Sequence, residues 1–405
     1  MAVQRAQGPP KPPQGPPVQL YHQSSQYRHW RYSKEDLDKV RSELNEHAVS
    51  RVRSLWEEER AQQAVQDTPT PVAGSSADGT ASEGPSQPAT PPPPADIEYL
   101  TVADEQALVS YYLTQIVALC NAFKFPEMVL ATAMSYLKRF YLRNTAMDYH
   151  PRNIMLTCVF LATKTENFPI SIDTFAAKVK TPPAGILSLE FLVSQSLHFE
   201  YKVHHAHVAL SGLVLDMQTA GVPAASLTSA LPRAHAQLRA SRLSPAELVY
   251  SPAQIALACM RAADRESVET WLGVKEGKKD AAERRREEVN AQRKGKGKDG
   301  GEGLATPQGD GEGSQSDEPP ALEHAALLRL LDEIQAMVQD AQKNVVDKAR
   351  ATEIDKRLKW ARNPEKDPKS ALYKKRQAEE QAQREEKERA KAAKRPPQDD
   401  GSVFD

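Results

Sequence analysis

Wherever apolar positions are dense along this chain they fall into a helical rhythm, and no stretch shows the sustained alternation of a half-buried strand. Leu37, Val40, Leu44, Ala48, Val52, Leu55 and Trp56 mark one stripe of a long charged helix. Ser33 is placed to cap it, with Asp36 three residues later. Leu327, Leu331, Ile334 and Val338 mark a second stripe near the other end. Between them lies a run of a different kind. In YHPRNIMLTCVFLATKTEN, from Tyr149 to Asn167, the ten residues Ile154 to Thr163 are apolar or small on every side. A helix with one apolar stripe lies on a surface, whereas one apolar all round has to be surrounded. Pro151 suits its first turn, where the missing N–H is not needed.

The same design recurs. YSPAQIALACMRAA, from Tyr250, aligns without a gap to YHPRNIMLTCVFLA at an offset of 101 residues. Tyr149/Tyr250, Pro151/Pro252, Ile154/Ile255, Leu156/Leu257, Cys158/Cys259 and Ala162/Ala263 coincide. Two helical domains follow, each with a buried central helix wrapped by about four others. The fold class is therefore all-α.

Composition divides the chain. Its 30 Pro and 19 Gly are concentrated in a few stretches that lack large apolar residues. These predict a disordered N-terminus over 1–17, a low-complexity linker over 67–96 and a low-complexity insertion over 275–320. The remaining parts are an N-terminal segment with the long helix (18–66), a first repeat (97–202) and a second repeat (203–274 and 321–342). A C-terminal helix (343–362) and a charged tail (363–405) follow. The tail carries Glu380/Arg384 and Glu385/Arg389 pairs but no apolar stripe, which predicts a solvated or marginal helix or disorder.

A formal net charge of −1 argues against binding nucleic acid through a uniform basic field. The longest apolar run is about half of what a membrane span needs, and MAVQRAQGPPKPPQGPP has no signal-peptide core. A soluble intracellular protein is expected. Cys120, Cys158 and Cys259 sit singly in apolar helical contexts and read as buried thiols. His204, His205 and His207 lack a nearby Cys and read as polar contacts rather than a metal site. GKGKDGG lacks the flanking strand and Lys-Ser/Thr pair of a phosphate loop. No nucleophile and base stand at usable spacing, so neither a catalytic residue nor a cofactor is assigned. Thr68, Thr70, Thr90 and Thr306 precede Pro in the low-complexity segments and are candidate phosphorylation sites, whereas Ser251, also before Pro, reads as an N-cap. KKR at Lys374 and KRP at Lys394 fit nuclear import or plain tail charge equally.

YLKRFYLRNTAMDYHPRNIMLTCVFLATK, together with YHQSSQYRHWRYS and YSPAQIALA, resembles the cyclin box. Within the cyclin family the likeness is to the branch that regulates the CDK-activating kinase of TFIIH, and it extends from Tyr21 to about Trp360 apart from the two insertions. The resemblance implies two tandem five-helix cyclin-box repeats with flanking terminal helices. It also implies a nuclear, non-catalytic activator of a cyclin-dependent kinase acting on the RNA polymerase II tail. A RING-finger assembly factor and the TFIIH core would be further partners. Lys164 matches the family's kinase-contacting Lys, and Glu190 the acidic residue of the fifth helix that completes that contact. Phe199 and Tyr201 take the places of apolar kinase-facing residues. Without the resemblance, Lys164 reads as a cation favoured at a helix C-terminus and Glu190 as a solvated helix charge. Thr165 and Asn167 depart from the family pattern, where an aromatic or aliphatic residue and a second acid are common. Two alternatives stay open: a cyclin C-type subunit of Mediator, and a TFIIB-like factor that holds promoter DNA between paired cyclin folds.

Overall fold

A computed structural model describes residues 21–66, 97–277 and 324–393. Thr68, Thr70, Thr90, Thr306, the 1–17 segment and the KRP element lie outside the described residues, as do the 67–96 linker and nearly all of the 275–320 insertion. Among the described residues all regular structure is helical. The helices are α1 (Ser25–His29), α2 (Lys34–Gln66), α3 (Val102–Phe123), α4 (Glu127–Phe140), α5 (Pro151–Thr165), α6 (Ile172–Val179), α7 (Pro183–Leu187) and α8 (Glu190–Ser196). They continue as α9 (Ala206–Thr219), α10 (Ala224–Ser241), α11 (Ala246–Val249), α12 (Pro252–Ala263), α13 (265–277), α14 (His324–Lys343), α15 (Lys348–Ala361) and α16 (Ala371–Ala393). They form two compact units, one from the described parts of 33–199 and 343–405, the other from those of 1–32 and 200–342.

In the first unit α5 is the central helix. The His150 side chain accepts from the Arg152 N–H at 3.1 Å and Pro151 occupies the first turn, so the start of α5 is defined by its own residues. Every residue from Ile154 to Thr163 is buried, with α3, α4, α7 and α8 packed around them. Each large side chain so buried contributes roughly 1.5–3 kcal/mol. The two core threonines do not forfeit this, because the Thr157 hydroxyl donates to the Ile186 carbonyl at 3.2 Å and that of Thr163 to the Phe160 carbonyl at 2.7 Å.

The terminal helices of this unit are tied to the bundle by buried polar groups. Along α2, Leu37, Ala48, Val52 and Trp56 are buried, and the Trp56 indole N–H donates to the Arg362 carbonyl at 3.1 Å. Glu59, also on α2, accepts from the Ala371 and Leu372 N–H groups at 2.9 and 2.8 Å, which caps α16 from a residue far away in sequence. Asp104 on α3 receives Arg350 at 2.8 Å and Arg357 at 2.6 Å from α15. Burial pushes the Asp104 carboxyl up, but the hydrogen bonds from Arg357 and Thr101 outweigh it and hold it below its ordinary value.

The neighbouring Glu105 behaves in the opposite way. It is buried, accepts from the Ala146 N–H, and faces Asp148 as well as Arg41 of α2. Burial, helped by the Asp148 charge and opposed by the Ala146 N–H and Arg41, pushes its carboxyl up to about 7. Because the folded value lies above the unfolded one, this group's stabilisation is complete at low pH and is lost as pH rises from about 4.5 through about 7. Urea unfolding at about pH 5 and about pH 8 should therefore show wild type losing more stability than Glu105→Gln. The difference should be on the order of 3 kcal/mol.

In the second unit α12 is the central helix, with α9, α10 and α11 against it. Ser251 caps it as expected, in a reciprocal box: Gln254 N–H to Ser251 Oγ at 3.3 Å and Ser251 N–H to Gln254 Oε1 at 2.8 Å. The α1 segment is bound to this unit by paired hydrogen bonds. Gln26 donates to the His204 carbonyl at 3.2 Å and accepts from its N–H at 2.7 Å. The buried Trp30 donates to Glu200 at 2.6 Å. Helix α13 continues through Lys275, whose ammonium reaches Asp216 at 2.6 Å beside the Trp271 indole at 2.9 Å. Residues 275–277, at the edge of the expected insertion, are the last described turn of this helix. His205 and His207 stack on each other, and His207 meets Arg242 at 3.3 Å. No group of three or more His, Cys, Asp or Glu suited to a metal occurs among the described residues. None of their helices is long and apolar enough to cross a membrane.

Candidate functional site

The end of α5 is built to project one charge and retract its neighbours. Lys164 lies in the last turn, its ammonium 4.5 Å above the centre of the Phe160 ring. Thr165, where the family pattern has a larger residue, turns inward. Its hydroxyl accepts from the buried Tyr136 hydroxyl at 3.0 Å and donates to the Ala162 carbonyl at 3.3 Å. Glu166 is held against α4 by the Thr132 hydroxyl at 2.6 Å. Asn167 takes a left-handed conformation, φ 54°, that ends the helix and lets the Phe168 N–H return to the Thr163 carbonyl at 2.9 Å.

Lys164 and Glu190 meet directly, with Nζ to Oε1 at 2.5 Å. Glu190 is the first residue of α8, where the helix dipole favours a negative charge. Both groups remain partly exposed, so the pair adds little to stability, yet each holds the other in place for a partner to meet. Beside them lies Phe191, 69% exposed, with its ring centre 6.1 Å from that of Phe199, itself 53% exposed.

The chain accepts strain to present Phe199. His198 and Phe199 both adopt left-handed backbone, φ 54° and 58°, which is unfavourable for a bulky residue. The hydrogen bonds His198 N–H to Gln195 O and Phe199 N–H to Ser194 O, both 2.9 Å, hold this turn after α8. Phe168 and Leu187 in the same unit are also more than two-fifths exposed. Several large apolar side chains left open beside an ordered ion pair are the composition of an interaction surface rather than of a solvated one.

The structure thus brings together Lys164, Glu190 and, through its contact with Phe191 of the same helix as Glu190, Phe199. Tyr201 belongs to the other unit, where it is half-buried. Phe191 was not among the expected residues. The pattern carried only a weak signal for it: Val193 and Leu197 mark the buried side of α8 and Phe191 falls off it.

Patterns of two known domain families match the chain. The pattern of the cyclin N-terminal domain matches residues 98–202, and that of the cyclin C-terminal domain matches 205–339. The chain belongs to the cyclin family. Among characterised cyclins, it is 30% identical to Cyclin CCL1 of Saccharomyces cerevisiae over 259 residues, covering 63% of this chain and 61% of that one. Cyclin-H1-1 of Arabidopsis thaliana is 35% identical over 169 residues, covering 41% of this chain and 50% of that protein. Cyclin-C1-1 of the same plant is 26% identical over 167 residues, covering 39% of this chain and 64% of that protein, which favours the cyclin-H branch. The chain thus spans about half to two-thirds of the length of these relatives. A solved CAK complex from Chaetomium thermophilum bound to ATP-gamma-S contains a chain of the same fold. Its TM-score is 0.61 at 24% identity, covering 89% of this cyclin and 94% of that chain. The repeat read from Tyr149 and Tyr250 is therefore the tandem cyclin box.

Proposed function

We propose that this cyclin binds and activates a TFIIH-type cyclin-dependent kinase, and that Lys164, Glu190, Phe191 and Phe199 form the kinase-binding face, with Tyr201 beside it in sequence. The observation that carries this reading is the ordered Lys164–Glu190 pair set next to two open phenylalanine rings, in a chain similar to cyclins of the H type. The rings would bury against the kinase's mobile helix. Lys164, with one of its N–H donors engaged by Glu190, has others to offer to partner carbonyls. Docking would hold that helix where its Glu pairs with the ATP-positioning Lys, so the kinase supplies all of the phosphoryl-transfer chemistry.

In this reading the cyclin is non-catalytic and nuclear. The kinase phosphorylates the RNA polymerase II tail, and a RING-finger assembly factor and the TFIIH core complete the assembly. Proline-directed phosphorylation of Thr68, Thr70, Thr90 and Thr306 belongs to the same proposal, and mass spectrometry of protein from cells tests it. The direct test of activation is a titration of the full chain into its organism's TFIIH-type kinase, following phosphate incorporation into a polymerase-tail repeat peptide. Saturable activation is expected. A kinase that stays at its basal rate, while the Mediator kinase is activated instead, would transfer the protein to the cyclin C branch.

A further inference from the structure

The net charge of −1 conceals a strongly basic segment. Between Lys348 and Arg376 the chain carries eleven Lys and Arg against four Asp and Glu. The structure divides these cations into two classes. The arginines are used internally: Arg350 and Arg357 on Asp104, Arg362 on Asp367, and Arg376 on Glu365 at 2.6 Å. The lysines, apart from Lys375 at 3.8 Å from Glu58, face outward. Lys348, Lys356, Lys359, Lys366, Lys369 and Lys374 are all exposed, and none makes an ion pair among the described residues.

These six are arranged rather than scattered. At 100° per residue, Lys348, Lys356 and Lys359 fall on one side of α15, away from its buried Ala351, Ile354 and Leu358. Asp355 of the same helix meets His150 at 3.0 Å, and the Lys366 ammonium sits 5.5 Å from the centre of the adjacent Tyr149 ring. Lys366 thus stands by the residue next to His150, and Lys369 and Lys374 follow it in sequence to the start of α16. Unpaired like charges held close together raise the free energy of the isolated protein and create a local positive potential that a polyanion relieves.

We infer that this outward face of the C-terminal segment, from Lys348 to Lys374, is a docking surface for an acidic polypeptide segment. Two features favour carboxylates over nucleic acid. The forked guanidinium groups that suit phosphate and base edges are each engaged by a carboxylate of the protein itself. The nearby aromatic rings each carry one of the protein's own lysines, Trp360 with Lys359 at 5.0 Å and Tyr149 with Lys366 at 5.5 Å, which competes with base stacking. The surface is separate from the proposed kinase face and does not depend on it.

The test uses the full chain and a fluorescent peptide of alternating Glu and Gly at about 0.15 M salt, where charges beyond about 8 Å are screened. Binding is expected, with a loss of about tenfold or more in K356E/K359E/K366E and a smaller loss in the corresponding Gln variant. The control K39E/K180E, which changes exposed lysines on α2 and after α6, should keep wild-type affinity. Circular dichroism verifies that each variant is folded. An equal loss in the control would reduce the effect to bulk charge and overturn the assignment, as would failure of wild type to bind. Tighter binding of a DNA duplex of equal charge, through the same lysines, would replace the acidic polypeptide with nucleic acid.

Discussion

Reversing the charge at Lys164 is expected to abolish kinase activation while leaving the cyclin folded. Lys164→Glu would set a carboxylate against Glu190, where the ammonium now stands at 2.5 Å. In the free protein both groups can turn into solvent, since Lys164 is 42% and Glu190 25% exposed at the side chain. The stability change should stay within about 1 kcal/mol, the usual range for exposed pairs. At the proposed kinase interface that escape would be closed. Removing one member of a desolvated pair at an interface costs about 2–5 kcal/mol, a loss of about thirty- to several thousand-fold in affinity. Phe191→Ala and Phe199→Ala should each cost about 2 kcal/mol or more, as truncated aromatic anchors commonly do. The measurement pairs the cyclin concentration for half-maximal activation with a thermal unfolding curve. An unchanged activation curve for a folded Lys164→Glu variant would return the residue to the role of a helix-dipole cation.

A charge in the central helix should act through stability alone. Val159 is fully buried in the middle of α5. Val159→Asp loses the transfer free energy of the side chain and also buries an unpaired ionisable group, a combination that exceeds about 4 kcal/mol. Domains of this kind are stable by only about 5–15 kcal/mol, so the first unit should lose its cooperative unfolding transition near room temperature. Val345→Asp is the internal control, because that valine is 52% exposed and its replacement should shift stability by no more than about 0.5 kcal/mol. Calorimetry of both variants checks the pair. A Val159→Asp protein with a native transition would mean that the side chain reaches water without disturbing the bundle, against the packing described.

The two experiments separate effects that sequence alone would confuse, since Lys164 and Val159 lie five residues apart on one helix. Val159 was legible as core because burial on all sides leaves a continuous apolar run. Lys164 was legible as a boundary charge and became a candidate contact only through likeness to a family. Phe191 was harder to recognise, because an aromatic residue in a short amphipathic helix reads as core until the direction of that helix is known. Thr165 is a different case. It departs from the family pattern, and its hydroxyl is occupied inside the fold by Tyr136 and Ala162.

The sequence by itself determined what depends on neighbours within one or two turns: the all-helical class, the starts of α2, α5 and α12 at Ser33, Pro151 and Ser251, and the repetition of a wholly buried helix. Such features are legible because periodicity and capping are satisfied locally. Only the tertiary structure decided that Glu59 caps α16, that Gln26 pairs with His204, and that α15 lies on Asp104. It also decided that Lys164 meets Glu190 while Phe191 and Phe199 are left open together. Those pairings join residues that chain closure brings side by side. Their energy comes from burial and geometry that arise only when the whole bundle has packed, and no local pattern encodes it.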